Sequence, residues 1–326
     1  MVRIAPAERI AGLRGGDRHA LARALSEVEH DPTGPLAAAL YPLTGRAHVV
    51  GITGPPGSGK SSLASAMTAV YRAAGRTVAV VAVDATSPLT GGAVLGDRIR
   101  MARHTGDPGV FIRSMASRGQ MGGLAVATSA AVRVLDAAGF QVVLVETVGA
   151  GQTEVQIARE AHTTIVVEVP GLGDGVQALK AGMMEVADIF AVNKADLPGA
   201  DEVTAHLVGM LTFAESKPDA SAAERPWITP VLKVSAVTCA GVDQLVAQVD
   251  AHGKWLRQTG AWTARERLRV DAELRRLVLA RQAQRYDALA SQQGGPVAVL
   301  LDQLVARTTD PGQAVEELSA HLNMDG

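Results

Sequence analysis

A glycine-rich turn between an apolar segment and a helical segment constrains this chain more than any other feature. The stretch VVGITGPPGSGKSSLASAM, residues 49–67, fits the spacing G-x-x-x-x-G-K-[S/T]. Glycines in such a turn let main-chain N–H groups point inward at a phosphate, and the amino end of the following helix adds positive potential. The stretch therefore predicts a phosphate-binding loop. Its predicted members are Gly54, Pro55, Pro56, Gly57, Ser58, Gly59, Lys60, Ser61 and Ser62.

The segments around this loop predict the fold class. From about residue 46, short apolar runs alternate with helical stretches, a pattern that indicates a parallel sheet covered by helices on both faces. We therefore predict an α/β P-loop NTPase fold with a mostly parallel central sheet. The predicted strands are AHVVGI, TVAVVAV, GVFIR, QVVLVE, TTIVVEV, DIFAVN and VLKVS.

Helical segments flank the predicted sheet domain on both sides. Asp17 precedes a stretch with Leu21, Leu25 and Val28 at helical spacing, so the N-terminal segment is predicted to be helical. A charged stretch with an irregular apolar stripe follows the last strand and predicts a long amphipathic helix. The predicted domains are an N-terminal helical extension (1–45), a P-loop domain (46–258) and a C-terminal helical arm (259–326).

The composition argues against several classes of protein. A formal charge of -2 with mixed signs provides no broad basic field, so we expect neither nucleic acid nor a membrane surface as a partner. The single cysteine, Cys239, allows no intramolecular disulfide, which is typical of a reducing compartment. The start of the chain lacks a signal-peptide pattern, and no apolar run of about 18 residues occurs. We expect a cytoplasmic protein.

A second motif, AVNKADL, predicts which base the nucleotide carries. Asn193, Lys194 and Asp196 follow a predicted strand, at the sheet edge where ligands bind in open α/β folds. A carboxylate there can accept from N1–H and the exocyclic amine of guanine, whereas adenine offers no matching donor pair, so Asp196 predicts GTP and GDP. Ser235 and Ala236 in KVSAVT are candidates for a main-chain cover over guanine O6. The alternative for Asn193–Asp196 is a helix cap that follows a strand. The Ser-Ala pair alone is equally compatible with an ordinary turn.

Carboxylates at other strand ends predict a magnesium site. Mg²⁺ prefers oxygen ligands, so Ser61 with one or two carboxylates and the nucleotide would satisfy it. Glu146, which ends QVVLVE, is the main candidate, while Asp84 and Asp97 are candidate ligands or turn carboxylates. In the following segment TVGAGQ, Gly149 is placed to meet a γ-phosphate, and Gln152 either orients water or makes a structural hydrogen bond.

Together with several longer motifs, these residues resemble a known family, the MeaB/ArgK-type GTPases, which act as chaperones of adenosylcobalamin-dependent methylmalonyl-CoA mutase. The resemblance extends over nearly the whole chain. It rests on the motifs GITGPPGSGKSSL, VDATSPLTGGAVLGDRIRM, FIRSMASRGQMGGLA, VLVETVGAGQTEVQIA and VPGLGDGVQALKAGMMEVADIFAVNKADL.

The resemblance implies roles for particular residues and partners. It implies Mg²⁺ near Ser61, Asp84, Asp97 and Glu146, and a relay in which Asp174, Gln177 and Lys180 couple the nucleotide to the partner. The candidate catalytic residues are Lys60, Glu146, Gln152 and Lys180. The implied partners are an acyl-CoA mutase, a second copy of the chain joined through the C-terminal arm, and a cobalamin adenosyltransferase. Lys180 could instead be a solvated helix lysine, and the arm could pack on its own sheet domain.

Two other functional classes stay open at this stage. A metallochaperone GTPase needs soft or imidazole ligands close together, whereas the eight histidines are dispersed along the sequence and Cys239 has no companion within the chain. A symmetric dimer could still pair Cys239 across its axis. A small-molecule kinase would need an acceptor pocket with a base, and a phosphate mass balance would distinguish it from a GTPase.

Overall fold

A computed structural model describes residues 6–84, 102–104, 106–116, 126–147, 156–171, 181–215 and 227–323. Its centre is a seven-stranded sheet in the order β3-β2-β4-β1-β5-β6-β7, in which every neighbouring pair is parallel. This confirms the predicted fold class, and each predicted strand is present. The strands are β1 (His48–Thr53), β2 (Val78–Asp84), β3 (Val110–Ala116), β4 (Val142–Thr147), β5 (Thr163–Glu168), β6 (Ile189–Val192) and β7 (Val231–Lys233).

Eleven α-helices lie within the described residues. Three short 3₁₀ segments accompany them, at Tyr41–Leu43, Ala102–His104 and Ile157–Arg159. The helices are α1 (Pro6–Arg14), α2 (Arg18–His30), α3 (Pro35–Leu40), α4 (Lys60–Ala73), α5 (Val126–Ala137), α6 (Ala181–Val186), α7 (Ala200–Glu215), α8 (Val242–Gln258), α9 (Ala261–Ala290), α10 (Pro296–Val305) and α11 (Pro311–Asn323). Within the described ranges, no helix combines the length and the apolar character needed to cross a bilayer.

The sheet is apolar on both faces because helices cover both. Val49 and Val143 face a cluster formed with α2, α3 and α5. Their sequence neighbours Val50 and Val142 face the opposite cluster, which contains α4 and α8. Strands β1 and β4 are buried at every position, as expected for central strands of a doubly covered parallel sheet. Buried strands of this kind fix the positions of the loops that follow them.

The N-terminal extension packs on the sheet domain through α2. Leu21, Leu25 and Val28 are buried there, as their spacing predicts. The side chain of Asp17 accepts hydrogen bonds from the main-chain N–H groups of His19 and Ala20, at 2.8 and 3.1 Å. Asp17 therefore caps α2, as its position before the helix predicts.

The C-terminal part of the chain is helical. Residues up to Arg269 form one compact unit, and residues from Val270 onward form a second, so the division falls within α9. Helix α9 covers almost the same residues as the predicted amphipathic helix, and none of its side chains is buried.

Candidate nucleotide-binding site

The loop between β1 and α4 has the geometry of a phosphate-binding turn. Gly54 has φ +142°, and a Cβ atom there would lie 2.2 Å from the main-chain oxygen of Val167. Gly57 and Gly59 are also left-handed, with φ +77° and +86°. A side chain at Gly54 would collide with strand β5, and all three conformations favour glycine. The glycines thus let the loop turn tightly against the sheet and lead into α4.

Lys60 lies at the first position of α4, and its side chain folds back over the loop. Its Nζ donates hydrogen bonds of 2.9 Å to the main-chain oxygens of Gly54 and Pro55. Two loop carbonyls therefore hold the ammonium group against the loop, and a charged phosphate oxygen would be a stronger acceptor than either carbonyl. Ser58, in the same loop, is fully buried.

Ser61 and Glu146 meet at the carboxyl edge of the sheet. Glu146 lies beside Ile52 in the register of β1 and β4, and Ser61 Oγ donates a hydrogen bond of 2.6 Å to Glu146 Oε1. Both residues are buried. A hydroxyl and a carboxylate at this spacing supply the oxygen donors that Mg²⁺ prefers, so these two residues fit the predicted ion. Among the described residues, no group of three or more His, Cys, Asp or Glu side chains forms a metal site.

Asn193 connects the two halves of the predicted nucleotide site. Its Nδ2 donates a 2.7 Å hydrogen bond to the main-chain oxygen of Ser58 in the phosphate loop. Its Oδ1 accepts a 3.0 Å hydrogen bond from the main-chain N–H of Ala236. The side chain is almost fully buried. It therefore holds the phosphate loop and the loop after β7 in one fixed arrangement.

The remaining residues predicted to read the base lie around Asn193. Lys194 takes a left-handed conformation, φ 58°, and the Asp196 side chain is exposed, so its carboxylate is accessible to a ligand. Ser235 is buried, and its Oγ accepts from the N–H of Thr238 at 3.2 Å. The Ala236 N–H is engaged by Asn193 in this structure, so a contact from Ala236 to guanine O6 stays a prediction.

Several predicted site residues fall outside the described part of the chain. The main chain of Asp84 ends β2, but its side chain lies outside that part. The same holds for every atom of Asp97, Gly149, Gln152, Asp174, Gln177 and Lys180. Their roles remain as the sequence predicts them. The structure brings together Ser61 with Glu146, and Ser58 with Asn193 and Ala236.

Sequence reasoning missed two features of this site. The main-chain oxygen of Val167 abuts Gly54, and Thr147 Oγ1 donates a 3.3 Å hydrogen bond to Thr53 Oγ1 across β4 and β1. The sequence does hold a signal for the hydrogen bond between the threonines, because each of the two apolar strands ends in a threonine. No local pattern indicates the first, because it depends on which strand lies next to β1.

Comparison with known proteins identifies the family. Residues 21–291 match the family model described as Methylmalonyl Co-A mutase-associated GTPase MeaB. The chain is 45% identical over 298 residues to a protein of Pyrococcus horikoshii, covering 91% of this chain and 93% of that protein. It is 30% identical over 256 residues to the mouse protein named methylmalonic aciduria type A homolog, mitochondrial, covering 72% of this chain and 60% of that protein.

A solved structure agrees with these sequence matches. The crystal structure of an LAO/AO transport system kinase is similar to this fold, with a TM-score of 0.70, 26% identity and 99% of both chains covered. The family model spans most of this chain, and the archaeal relative aligns along nearly all of it. The resemblance predicted from the motifs is thereby confirmed: this chain is a P-loop GTPase that belongs to the MeaB family of methylmalonyl-CoA mutase-associated GTPases.

Proposed function

We propose that this GTPase is a chaperone of an adenosylcobalamin-dependent acyl-CoA mutase, with methylmalonyl-CoA mutase as the foremost candidate. Its GTP cycle would gate the loading of the mutase with its cofactor and the protection of the loaded enzyme. The observation that carries this proposal is the match of residues 21–291 to a family described as associated with that mutase. The name of the mouse relative refers to methylmalonic aciduria, which supports methylmalonyl-CoA as the substrate of the partner mutase.

The phosphate end of the site suits hydrolysis that proceeds by positioning and charge stabilisation. Lys60 is poised above the loop carbonyls, from which its ammonium can move to the charge that develops on a transferring phosphoryl group. Ser61 and Glu146 would hold Mg²⁺ directly or through water. When bound, that ion would neutralise charge on the β- and γ-phosphates. None of these residues is a strong base for water, so we expect slow hydrolysis without a partner.

The partner would act through the segment PGLGDGVQALK, in which Asp174, Gln177 and Lys180 are the proposed relay residues. A glycine-rich segment that leads into a helix can move and can also be held by a partner. Bringing Lys180 toward the γ-phosphate would speed hydrolysis without adding a base. A cobalamin adenosyltransferase would be a further partner, since loading needs a source of the cofactor.

The test is steady-state phosphate release from GTP, with and without methylmalonyl-CoA mutase. We expect the mutase to raise the rate, and we expect Lys180→Ala to lower the stimulated rate far more than the basal rate. A pull-down on the same variant separates lost binding from lost stimulation. Absence of stimulation and of binding with any cobalamin mutase would refute the partner. Transfer of the γ-phosphate to an organic acceptor, instead of release as inorganic phosphate, would favour a kinase.

We also propose that the protein is a homodimer formed through the C-terminal arm. Helix α9 buries none of its side chains, and Leu274, Val278 and Leu279 are each more than half exposed. Exposed apolar side chains on one long helix are typical of a surface that a second chain covers. Sedimentation equilibrium of the full chain, and of a Leu274→Asp variant, tests the proposal. A wild-type monomer at micromolar concentration would contradict it.

A further inference from the structure

A cavity of about 360 Å³ lies at the edge of the sheet opposite the nucleotide site. His48 and Gln141 contribute to its wall, next to the points where β1 and β4 begin. The phosphate-binding loop follows the other end of β1. Because a six-residue strand is roughly 20 Å long, the cavity and the nucleotide site are separate places in the same compact unit.

Four arginines contribute to the lining of this cavity. Arg14, Arg46, Arg76 and Arg257 all contribute to it. They come from the end of α1, the segment before β1, the segment before β2 and the end of α8. These four arginines line one cavity because the fold brings four distant segments to one edge of the sheet.

Two of these arginines have no counter-ion within the described residues. The structure records no ion pair or side-chain hydrogen bond for Arg14 or Arg46 with any of them. Arg76 pairs with Asp250 at 2.6 Å, and the Arg257 guanidinium stacks 3.8 Å from the centre of the Trp262 ring. Burial, together with the neighbouring Arg76 charge, lowers the pKa of Arg257. The cavity therefore carries an excess of positive charge.

The one carboxylate in the wall does not cancel this excess. Asp136 is buried and accepts hydrogen bonds from the main-chain N–H groups of Gly45, Arg46 and Ala47. A single carboxylate cannot balance four guanidinium groups. His48 adds no charge near neutral pH, because burial lowers its pKa well below the ordinary value.

Part of the wall is apolar. Leu43 and Phe140 line the cavity beside the arginines. The volume lies within the range of small-molecule pockets, which combine apolar walls with a few convergent polar groups. A ligand that fits has an anionic group and a further part that can contact an apolar surface.

We propose that this cavity is a second anion site, which binds the phosphate group of a small phosphorylated molecule. Guanidinium groups match phosphate oxygens because their N–H donors form a planar fork that can bond two oxygens at once. Arg14 and Arg46 supply guanidinium N–H donors that bond no other described side chain. Arg257 also lines the cavity and stacks on Trp262, so a phosphate bound there would change the surroundings of that ring. The site therefore provides an intrinsic fluorescence signal for binding.

Isothermal titration calorimetry on the full chain tests the proposal. The protein is first saturated with GDP and Mg²⁺, so that the phosphate-binding loop is filled. Inorganic phosphate, pyrophosphate and AMP are then titrated separately, and tryptophan fluorescence is followed with the first two. We expect one saturable site, weaker binding at high ionic strength, and a fluorescence change from Trp262. Tighter binding of AMP than of inorganic phosphate would identify an organic phosphate as the ligand, and the reverse order would identify the free ion.

Matched variants assign the binding to the cavity. Arg14→Gln and Arg46→Gln should each weaken binding of the best probe by about tenfold, the loss of one charge-assisted contact, and together by about a hundredfold. Arg23→Gln, an exposed arginine on α2 outside the cavity, should leave binding within twofold. GDP affinity should be unchanged in the three single variants. A negative result for phosphate binding would therefore leave the assignment of the GTPase site intact. No saturable binding to the GDP-bound wild type, or equal binding by the double variant and the wild type, would overturn the proposal.

Discussion

The side-chain amide of Asn193 donates a hydrogen bond of 2.7 Å to the main-chain oxygen of Ser58, 135 residues earlier in the chain. This bond joins the loop expected to hold the base to the loop expected to hold the phosphates. The other end of the same side chain accepts from Ala236. The two loops can thus be positioned before a nucleotide arrives, which reduces the ordering cost of binding.

Asn193→Ala should therefore weaken binding of GDP and GTP alike. The change removes both hydrogen bonds and leaves the Ala236 N–H unsatisfied, at a cost of about 2 kcal/mol, or roughly thirtyfold in affinity. Titration of a fluorescent GDP analogue measures the effect. Asn323→Ala, at the end of the last helix, is the matched control and should bind normally. Wild-type affinity in Asn193→Ala would show that the two loops are positioned by other contacts.

Asp196→Asn should change the choice of base without changing the fold. Its side chain is exposed, so its replacement should leave the free energy of unfolding unaltered. The new amide can donate to the C2 carbonyl of xanthine, and affinity should shift from GTP toward XTP. Competition binding with GTP, XTP and ATP checks this. Asp201→Asn, an exposed neighbour that pairs with Lys233, should retain guanine preference. Equal affinity of the wild type for ATP and GTP would disprove the assigned base reader.

Lys60→Ala should weaken triphosphate binding by at least ~2 kcal/mol, because it removes a charge-assisted contact to the phosphates. The loss should be smaller for GDP than for GTP, since the terminal phosphate is the expected contact. Equilibrium binding of a slowly hydrolysed GTP analogue measures it. Lys254→Ala, which removes an exposed lysine of α8, is the control. Unchanged binding and hydrolysis in Lys60→Ala would place the phosphates elsewhere.

Glu146→Gln should impair magnesium-dependent hydrolysis more than nucleotide binding. The amide keeps the shape of the side chain beside Ser61 but loses the charge that supports the ion, and such changes commonly cost 10- to 100-fold. Phosphate release at graded Mg²⁺ concentrations, with GDP affinity measured in EDTA, separates the two effects. Glu202→Gln, on the exposed side of α7, should behave as the wild type. A normal Mg²⁺ dependence in Glu146→Gln would remove Glu146 from the ion site.

Stability should fall between pH 7 and pH 5 because of a buried histidine at the opposite edge of the sheet. His162 accepts from the Val49 N–H through Nδ1 at 3.0 Å and faces Glu266 through Nε2 at 2.8 Å. Burial lowers its pKa to about 4, although Glu266 opposes that shift. The unfolded chain therefore takes up a proton near pH 6.5 while the folded chain does not. This difference removes about 2 kcal/mol of stability from pH 7 to pH 5.

Other buried ionisable groups at the same edge of the sheet modify this decline. His252, whose pKa burial lowers to about 3, adds to it. Asp188 offsets part of the loss of stability, because burial raises its pKa to about 6. As the pH falls, the folded chain therefore protonates Asp188 before the unfolded chain does. The Arg269 guanidinium lies 3.0 Å from His162 Nε2, on the same side of the ring as Glu266. Urea unfolding at pH 7, 6 and 5 should show a shallower decline in His162→Gln than in the wild type. His30→Gln, at an exposed position, should follow the wild type, and identical slopes in all three proteins would contradict the assignment to His162.

Local sequence alone determined the elements that carry the site. The glycine spacing of residues 54–59 specified a phosphate turn, apolar runs specified the seven strands, and Asp17 specified the start of α2. Each of these signals depends on the conformational preferences of residues that are adjacent in the chain or one helical turn apart. They could therefore be interpreted before any tertiary contact was known.

The pairings between distant residues were decided only by the tertiary structure. Ser61 meets Glu146 because β1 lies beside β4 in the sheet. Asn193 meets Ser58, and His162 meets Glu266, although 135 and 104 residues separate them in the chain. Residue periodicity specifies which faces of a strand are buried, but it does not specify which strand lies beside it. The packing of helices and strands also collects arginines from four segments around one cavity. Charges so far apart in sequence share no local pattern, and their convergence follows from the packing of the whole domain.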